Sequence, residues 1–172
     1  MGETDSGLEA LAKREFPRLV GVAGLCCGSR TVAEEIAQEA LMRLCRHWRR
    51  VRDMEHPEAW LYRVTINLAS DVRRRQRQQR DADAAWARAQ PAVTDSADID
   101  ASLTLLQRVS TLPDRQRQAV ACRYFLDLPV ADTATILDCA PGTVRALTSQ
   151  AINALRAPDA LSRNDQIPRS AS

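Results

Sequence analysis

Aromatic residues are scarce in this chain: Phe, Trp and Tyr together make up 4% of its 172 residues. A β-sandwich or barrel draws on aromatic and β-branched side chains, so the shortage argues for small helical units cored by Leu, Val, Ile and Ala. Lysine is nearly missing, Lys13 being the only one. The basic charge is therefore almost all arginine, which contacts phosphate and guanine edges in bidentate fashion. A GC-rich genome gives the same bias, so composition leaves both origins open. No apolar run approaches the length that crosses a bilayer, and the N-terminus has no basic-then-apolar leader pattern. Membrane insertion is not expected. Among the five cysteines, Cys26, Cys27, Cys45, Cys122 and Cys139, none forms a C-x-x-C pair, and neither His47 nor His56 completes a zinc spacing. Set among apolar neighbours, all five read as buried free thiols of a reducing cytoplasm. A glycine-rich phosphate loop, a nucleophile–base spacing and paired metal ligands are all missing. An enzyme is not expected, nor is a cofactor or a metal.

What remains is a soluble composition, 45% hydrophobic and 27% charged with a net charge of +2, long enough for one mid-sized domain or two small ones. The pattern favours two. The fold class expected is all-α: two small helical domains joined by a flexible linker. The first spans residues 8–80, the linker 81–98 and the second 99–156, with a disordered tail over 157–172. In the first domain, Leu8, Leu11, Phe16, Leu19 and Val22 recur at helical spacing, with Pro17 expected to bend or restart that helix. Gly28-Ser29 ends it. Thr31-Val32-Ala33-Glu34 has the form of a capping box for a second helix through Ile36, Ala40, Leu44 and Trp48. Pro57 opens a third helix, with Trp60, Leu61, Val64, Leu68 and Val72 on its apolar side. The segment 81–98, rich in Ala and Asp, is expected to be helical only at its start. In the second domain, Ile99, Leu103, Leu106 and Val109 mark a helix that ends near Thr111.

The most specific local signal runs from Val130 to Leu155. A short helix, a tight turn at Asp138-Cys139-Ala140 and a second helix opening on Pro141-Gly142 make a helix-turn-helix layout. With Val144, Thr148, Ala151 and Leu155 turned inward, the outer face carries Arg145, Ala146, Ser149, Gln150, Asn153 and Arg156. Short polar groups and arginines of this kind suit base edges and phosphates in a major groove. An ordinary helical hairpin with a solvated face has the same pattern.

The third helix supplies a second signal. After the polar loop of Arg52, Asp53 and His56 come Trp60, Arg63, Asn67 and Asp71, then Arg73, Arg74 and Arg75. An aromatic, an amide and a row of arginines suit single-stranded DNA, by stacking, edge recognition and phosphate contact. The alternative is a core tryptophan and a solvated basic helix end favoured by the dipole. The second helix carries Glu34, Glu35, Ile36, Gln38, Glu39, Leu41 and Met42, either a docking surface for a basic partner or a plain amphipathic helix.

Together these segments resemble the extracytoplasmic-function sigma factors of the sigma-70 family. Val32 to Leu41 is similar to the family's acidic segment in region two. His56 to Asp71, running into Arg73, Arg74 and Arg75, is similar to its promoter-melting segment. Leu112 to Arg117, Arg123-Tyr124-Phe125 and Pro141 to Arg145 are similar to region four. Val32 and Ala140 depart from the usual Asp and capping Ser, and Leu147, Thr148 and Ser149 from the usual recognition helix. The resemblance implies a subunit that directs core RNA polymerase to promoters. Glu34, Glu35, Ile36, Gln38, Glu39, Leu41 and Met42 would dock on the polymerase. Arg52, Asp53, His56, Trp60, Arg63, Asn67, Asp71 and Arg73 to Arg75 would open and hold the minus-ten element. Thr143, Arg145, Ala146, Ser149, Gln150 and Asn153 would read the minus-thirty-five element. An anti-sigma factor is a further partner the resemblance implies. A free-standing helix-turn-helix regulator is the rival reading, since the second domain alone would serve it.

Overall fold

The computed structural model describes residues 3–88 and 105–156. The second half of the linker assigned by sequence, residues 89–98, and the tail, with Ile99 and Leu103, lie outside the described residues. Seven α-helices follow in order: α1 Glu3–Cys27, α2 Arg30–Val51, α3 Pro57–Arg88, α4 Leu105–Thr111, α5 Asp114–Val120, α6 Val130–Leu137 and α7 Pro141–Arg156. A turn of π-helix, Ala121–Phe125, prolongs α5. No strand occurs among the described residues.

Helices α1, α2 and α3 pack against one another to form the first block. Leu19, Val22 and Ala23 of α1, Ala37, Ala40 and Leu44 of α2, and Leu61 and Ile66 of α3 are buried between them. Pro17 sits inside α1, which runs on through it as one helix. The expected restart does not occur, because flanking Leu11, Leu19 and Val22 hold both halves in the same core. Gly28 ends α1 at φ +78, with its amide donating to the Gly24 carbonyl at 2.8 Å. The cap of α2 is Ser29, not Thr31: its hydroxyl accepts from the Val32 amide at 3.5 Å, and Thr31 lies inside the first turn, exposed.

Glu15 is buried in this first core, an expensive place for a carboxylate unless it is paired. The Tyr62 hydroxyl donates a short hydrogen bond to it, Arg14 Nε donates to its other oxygen at 2.7 Å, and Arg18 lies at 3.9 Å. Burial, with the Glu15 bond, pushes the Tyr62 phenol up to about 12, so it remains a donor.

The second block is built from α4 to α7. Val109, Leu112 and Ala151 form a small core here, against which Val120, Leu155 and Leu25 of α1 pack. Arg117 is buried here at 1% exposure. Its guanidinium donates to the Ser110 carbonyl at 2.8 Å and, by a shorter contact, to Asp114. Burial, then the neighbouring charge of Arg73, lowers its pKa, and Asp114 opposes the shift. The wider turn at Ala121–Phe125 lets the Leu126 amide reach back to the Ala121 carbonyl and turns Tyr124 and Phe125 outward. Asp138, at φ 52, ends α6 in the left-handed conformation that a short polar side chain tolerates.

The two blocks are not separate bodies. One hydrophobic cluster joins Leu19, Val22 and Cys26 of the first to Ala119, Cys122, Ile136 and Leu137 of the second. Helix α1 meets α4, α5 and the π turn, while α3 meets α6. Two thiols depart from the expectation of five buried ones: Cys45 is exposed on the outer side of α2, and Cys139 is half-buried.

Thr133 in α6 is fully buried and its hydroxyl has no hydrogen-bond partner. Thr133→Val removes that unsatisfied group at equal volume and is expected to stabilise the fold by about 1 kcal/mol in urea unfolding. A loss of similar size would show that the hydroxyl is bonded in solution.

Candidate functional site

Helix α7 is amphipathic along its whole length. Val144 and Ala151 are buried, and Leu147, Thr148, Ile152 and Leu155 are half-buried. The Thr148 hydroxyl is turned back on the Val144 carbonyl at 2.7 Å. That leaves Thr143, Arg145, Ala146, Ser149, Gln150, Asn153 and Arg156 exposed, the face expected from sequence. Leu147 packs into the core and leaves the recognition face to its neighbours. Arg123 is a member of this surface that the periodicity of α7 does not reveal. It comes from the π turn and, with Arg145, Ser149, Asn153 and Arg156, lines a shallow cleft of about 350 Å³. Its side chain is held there by a short hydrogen bond to the Leu128 carbonyl. Three guanidinium groups around a polar cleft suit a phosphate backbone.

On α3, Arg63, Asn67, Arg74 and Arg77 are exposed and Ser70 is half-buried. Their spacing of four, three, four and three residues places them in one stripe along the helix. Arg52, Asp53 and His56 are exposed in the loop before it. Trp60 is half-buried, its ring edge-on to His47 at 5.9 Å, so it belongs partly to the core. Asp71 is half-buried and accepts from Arg74 at 2.9 Å; Arg75 is exposed. Arg73 does not point freely outward. It donates to the Ser110 carbonyl at 2.9 Å, and its Nε lies 2.9 Å from Asp114 without its N–H being aligned for a hydrogen bond.

The acidic face of α2 is real, with one correction. Glu34, Glu35, Gln38 and Met42 are exposed, Met42 at 48%, and Glu39 is half-buried against Arg43 at 2.8 Å. Leu41 is half-buried. Ile36 is 5% exposed and packs in the core, so it supports this face from beneath and is not a contact residue. Among the described residues no group of His, Cys, Asp and Glu is arranged to hold a metal ion, and no helix is long and apolar enough to cross a membrane.

Comparisons with known proteins fall on the same two blocks. The family model described as Sigma-70 region 2 matches residues 11–79, and that described as Sigma-70, region 4 matches residues 102–155. The RNA polymerase sigma-H factor of Pseudomonas aeruginosa is 31% identical over 136 residues, covering 72% of this chain and 70% of that protein. The ECF RNA polymerase sigma factor EcfG of Rhodopseudomonas palustris is 29% identical over 145 residues, covering 82% and 78%. The ECF RNA polymerase sigma factor SigL of Mycobacterium tuberculosis is 29% identical over 133 residues, covering 75% of each. Among solved structures, the sigma factor RpoE of Bartonella quintana, in complex with the anti-sigma factor NepR, shares the fold. Its TM-score is 0.67 at 22% identity, over 86% of this chain and 92% of that one. With one conserved region on the three-helix block and the other on the helix-turn-helix block, the chain belongs to the sigma-70 family, in its extracytoplasmic-function class.

Proposed function

We propose that this chain directs core RNA polymerase to promoters through three separate surfaces: the outer face of α7, the stripe on α3 and the acidic side of α2. The observation that carries the reading is the stripe Arg63, Asn67, Ser70, Arg74 and Arg77 on α3. A free-standing helix-turn-helix regulator has no use for a second polar stripe of this kind.

Each surface has its own chemistry. The exposed side of α7, from Thr143 to Asn153, presents Arg145, Ser149, Gln150 and Asn153 to base edges of the minus-thirty-five element, with Arg123 and Arg156 on phosphates. On α3, Asn67 reads an extruded base of the minus-ten element. The arginines hold its backbone, and Arg52, Asp53 and His56 guide the strand in. Promoter opening is then differential binding of melted over paired DNA. Unstacking costs a few kcal/mol per base, which the captured base and phosphate contacts offset. Glu34, Glu35, Gln38 and Met42 form the polymerase-docking side of α2, an exposed methionine among carboxylates. No covalent step is required of any residue. The chain works in the compartment that holds the polymerase, and an anti-sigma factor acts by covering these faces.

The direct experiment mixes the purified chain with core polymerase and genomic fragments. Initiation at a defined set of promoters is expected; tight sequence-specific binding to duplex DNA without polymerase, and no initiation with it, would support the free-standing regulator. Asn67→Ala is expected to lower open-complex formation about tenfold, the equivalent of about 1.4 kcal/mol, while binding to core polymerase is unchanged. An equal loss of both would mean that Asn67 merely holds the block together. Arg145→Ala is expected to cost about 1–3 kcal/mol at the preferred upstream element and to relax its sequence profile. An unaltered profile across a promoter library would remove Arg145 from the reading face.

A further inference from the structure

The second block rests mainly on α1 and α3, which leaves the outer side of α2 open. Glu35, Gln38, Met42, Cys45 and Arg49 are all exposed there. Their spacing of three, four, three and four residues makes one seam along the helix, the spacing with which helices pair side by side. The seam is acidic at its start, apolar at its middle and basic at its end. Glu34 flanks the acidic end and Arg50 the basic end, and both are exposed.

The chain itself leaves most of these groups unused. Among the described residues, Glu35, Arg46, Arg49 and Arg50 make no ion pair and no hydrogen bond, while Glu34 and Glu39 are held along the helix by Arg30 and Arg43. On α1, by contrast, Lys13, Arg14 and Arg18 all have a carboxylate on their own helix. The helix dipole favours acid at the start of α2 and base at its end, but that preference falls off within the terminal turns. Glu35 and Arg46 lie more than a turn in from the ends of Arg30–Val51. Nor does the dipole account for Met42, an apolar side chain that is largely exposed and belongs to neither core cluster.

We propose that this seam is a pairing surface for a second copy of the chain, with the two α2 helices antiparallel and a two-fold axis at Met42. Residues equally far before and after Met42 then face each other. Glu35, seven residues before it, meets Arg49 of the second copy, seven after it, and symmetry makes the contact twice. The two Met42 side chains pack on one another at the axis, and Gln38 lies over Cys45 of the second copy. Glu34 stands beside the same Arg49, and Arg50 beside the same Glu35. A parallel pair would set Glu35 against Glu35 and Arg49 against Arg49, so the charge pattern itself selects the antiparallel direction.

The contact is reversible by its chemistry. Exposed ion pairs each contribute little and are screened by salt, so pairing depends on concentration and ionic strength, and the dilute chain is single. The side of α2 that pairs is also the side assigned above to core polymerase, so a paired copy cannot dock. That consequence, unlike the pairing, rests on the docking reading of α2.

The test is sedimentation equilibrium of the full chain carrying charge reversals, Glu35→Arg or Arg49→Glu. Both sites are exposed and both new residues are good helix formers, so circular dichroism is expected to match wild type. Each single reversal sets like charges across the seam at two places and is expected to weaken self-association about tenfold. An equimolar mixture of the two single variants is expected to pair as wild type does, because every facing pair is then of opposite charge. The chain with both reversals keeps the wild-type net charge and is expected to pair with itself again. A second readout uses exposed Cys45, three residues past the axis. It stands six residues' rise, ~9 Å along the seam, from its twin, so a short bis-maleimide links two wild-type copies through Cys45 and links neither single variant. A wild-type chain that stays single when concentrated, single variants that pair as well as wild type, or a mixture that pairs no better than its components would overturn the proposal. Adding core polymerase is expected to abolish the Cys45 link. A link that persists while the mixture still pairs leaves the pairing intact and shows that the docking reading of α2 has failed.

Discussion

One carboxylate organises the boundary between the two halves of this molecule. Asp114 opens α5, sits beside the fully buried Arg117, and reaches the basic end of α3 through Arg73 and Arg77. Arg117 ties the same point to the end of α4 through the Ser110 carbonyl, which Arg73 also uses. A buried guanidinium without a counter-charge is costly, so Asp114 is required by the second block whatever the first block does. Its remaining capacity is what α3 engages. The same group thus stabilises one domain and decides where it rests on the other.

That arrangement explains why the polar stripe of α3 and the outer face of α7 stand differently in the structure. The face of α7 is open, framed by Arg123, Arg145 and Arg156, with its inner side closed by Val144 and Ala151. The stripe of α3 is turned toward α5 and α6. The two polar surfaces therefore differ in how far the neighbouring block frames them.

The helices were legible in the sequence where periodicity was strong and capping was simple. The inward Val144, Ala151 and Leu155 of α7 follow directly from 3.6-residue spacing, whereas on α3 only Leu61 of the expected apolar side is buried, and Tyr62, Thr65, Ile66 and Ala69 fill the core. The errors have local physical causes. Thr31 fits a capping box as written, but Gly28 ends α1 one residue before Ser29, so Ser29 takes the cap. Pro17 breaks a helix in isolation and not one held by a core on both sides of it. Ile36 lies within an acidic segment, and only the third dimension shows that it points away from its charged neighbours. The chief omission was the contact between the blocks. Arg73 paired with Asp114, and Gln118 with Ser70, are separated by more than forty residues and leave no periodic trace. The Glu15–Tyr62 pair escaped for the same reason, and Arg123 escaped because a π turn shifts its direction relative to the helix before it.

The contact between the two blocks is a geometric feature that one distance tests. Spin labels on exposed Cys45 of α2 and on a cysteine introduced at Ala154 of α7 report the separation of the blocks by pulsed dipolar spectroscopy. A single short distance is expected for the free chain. A long or broadly distributed separation in the free chain would contradict the claim that one shared core holds the two blocks together.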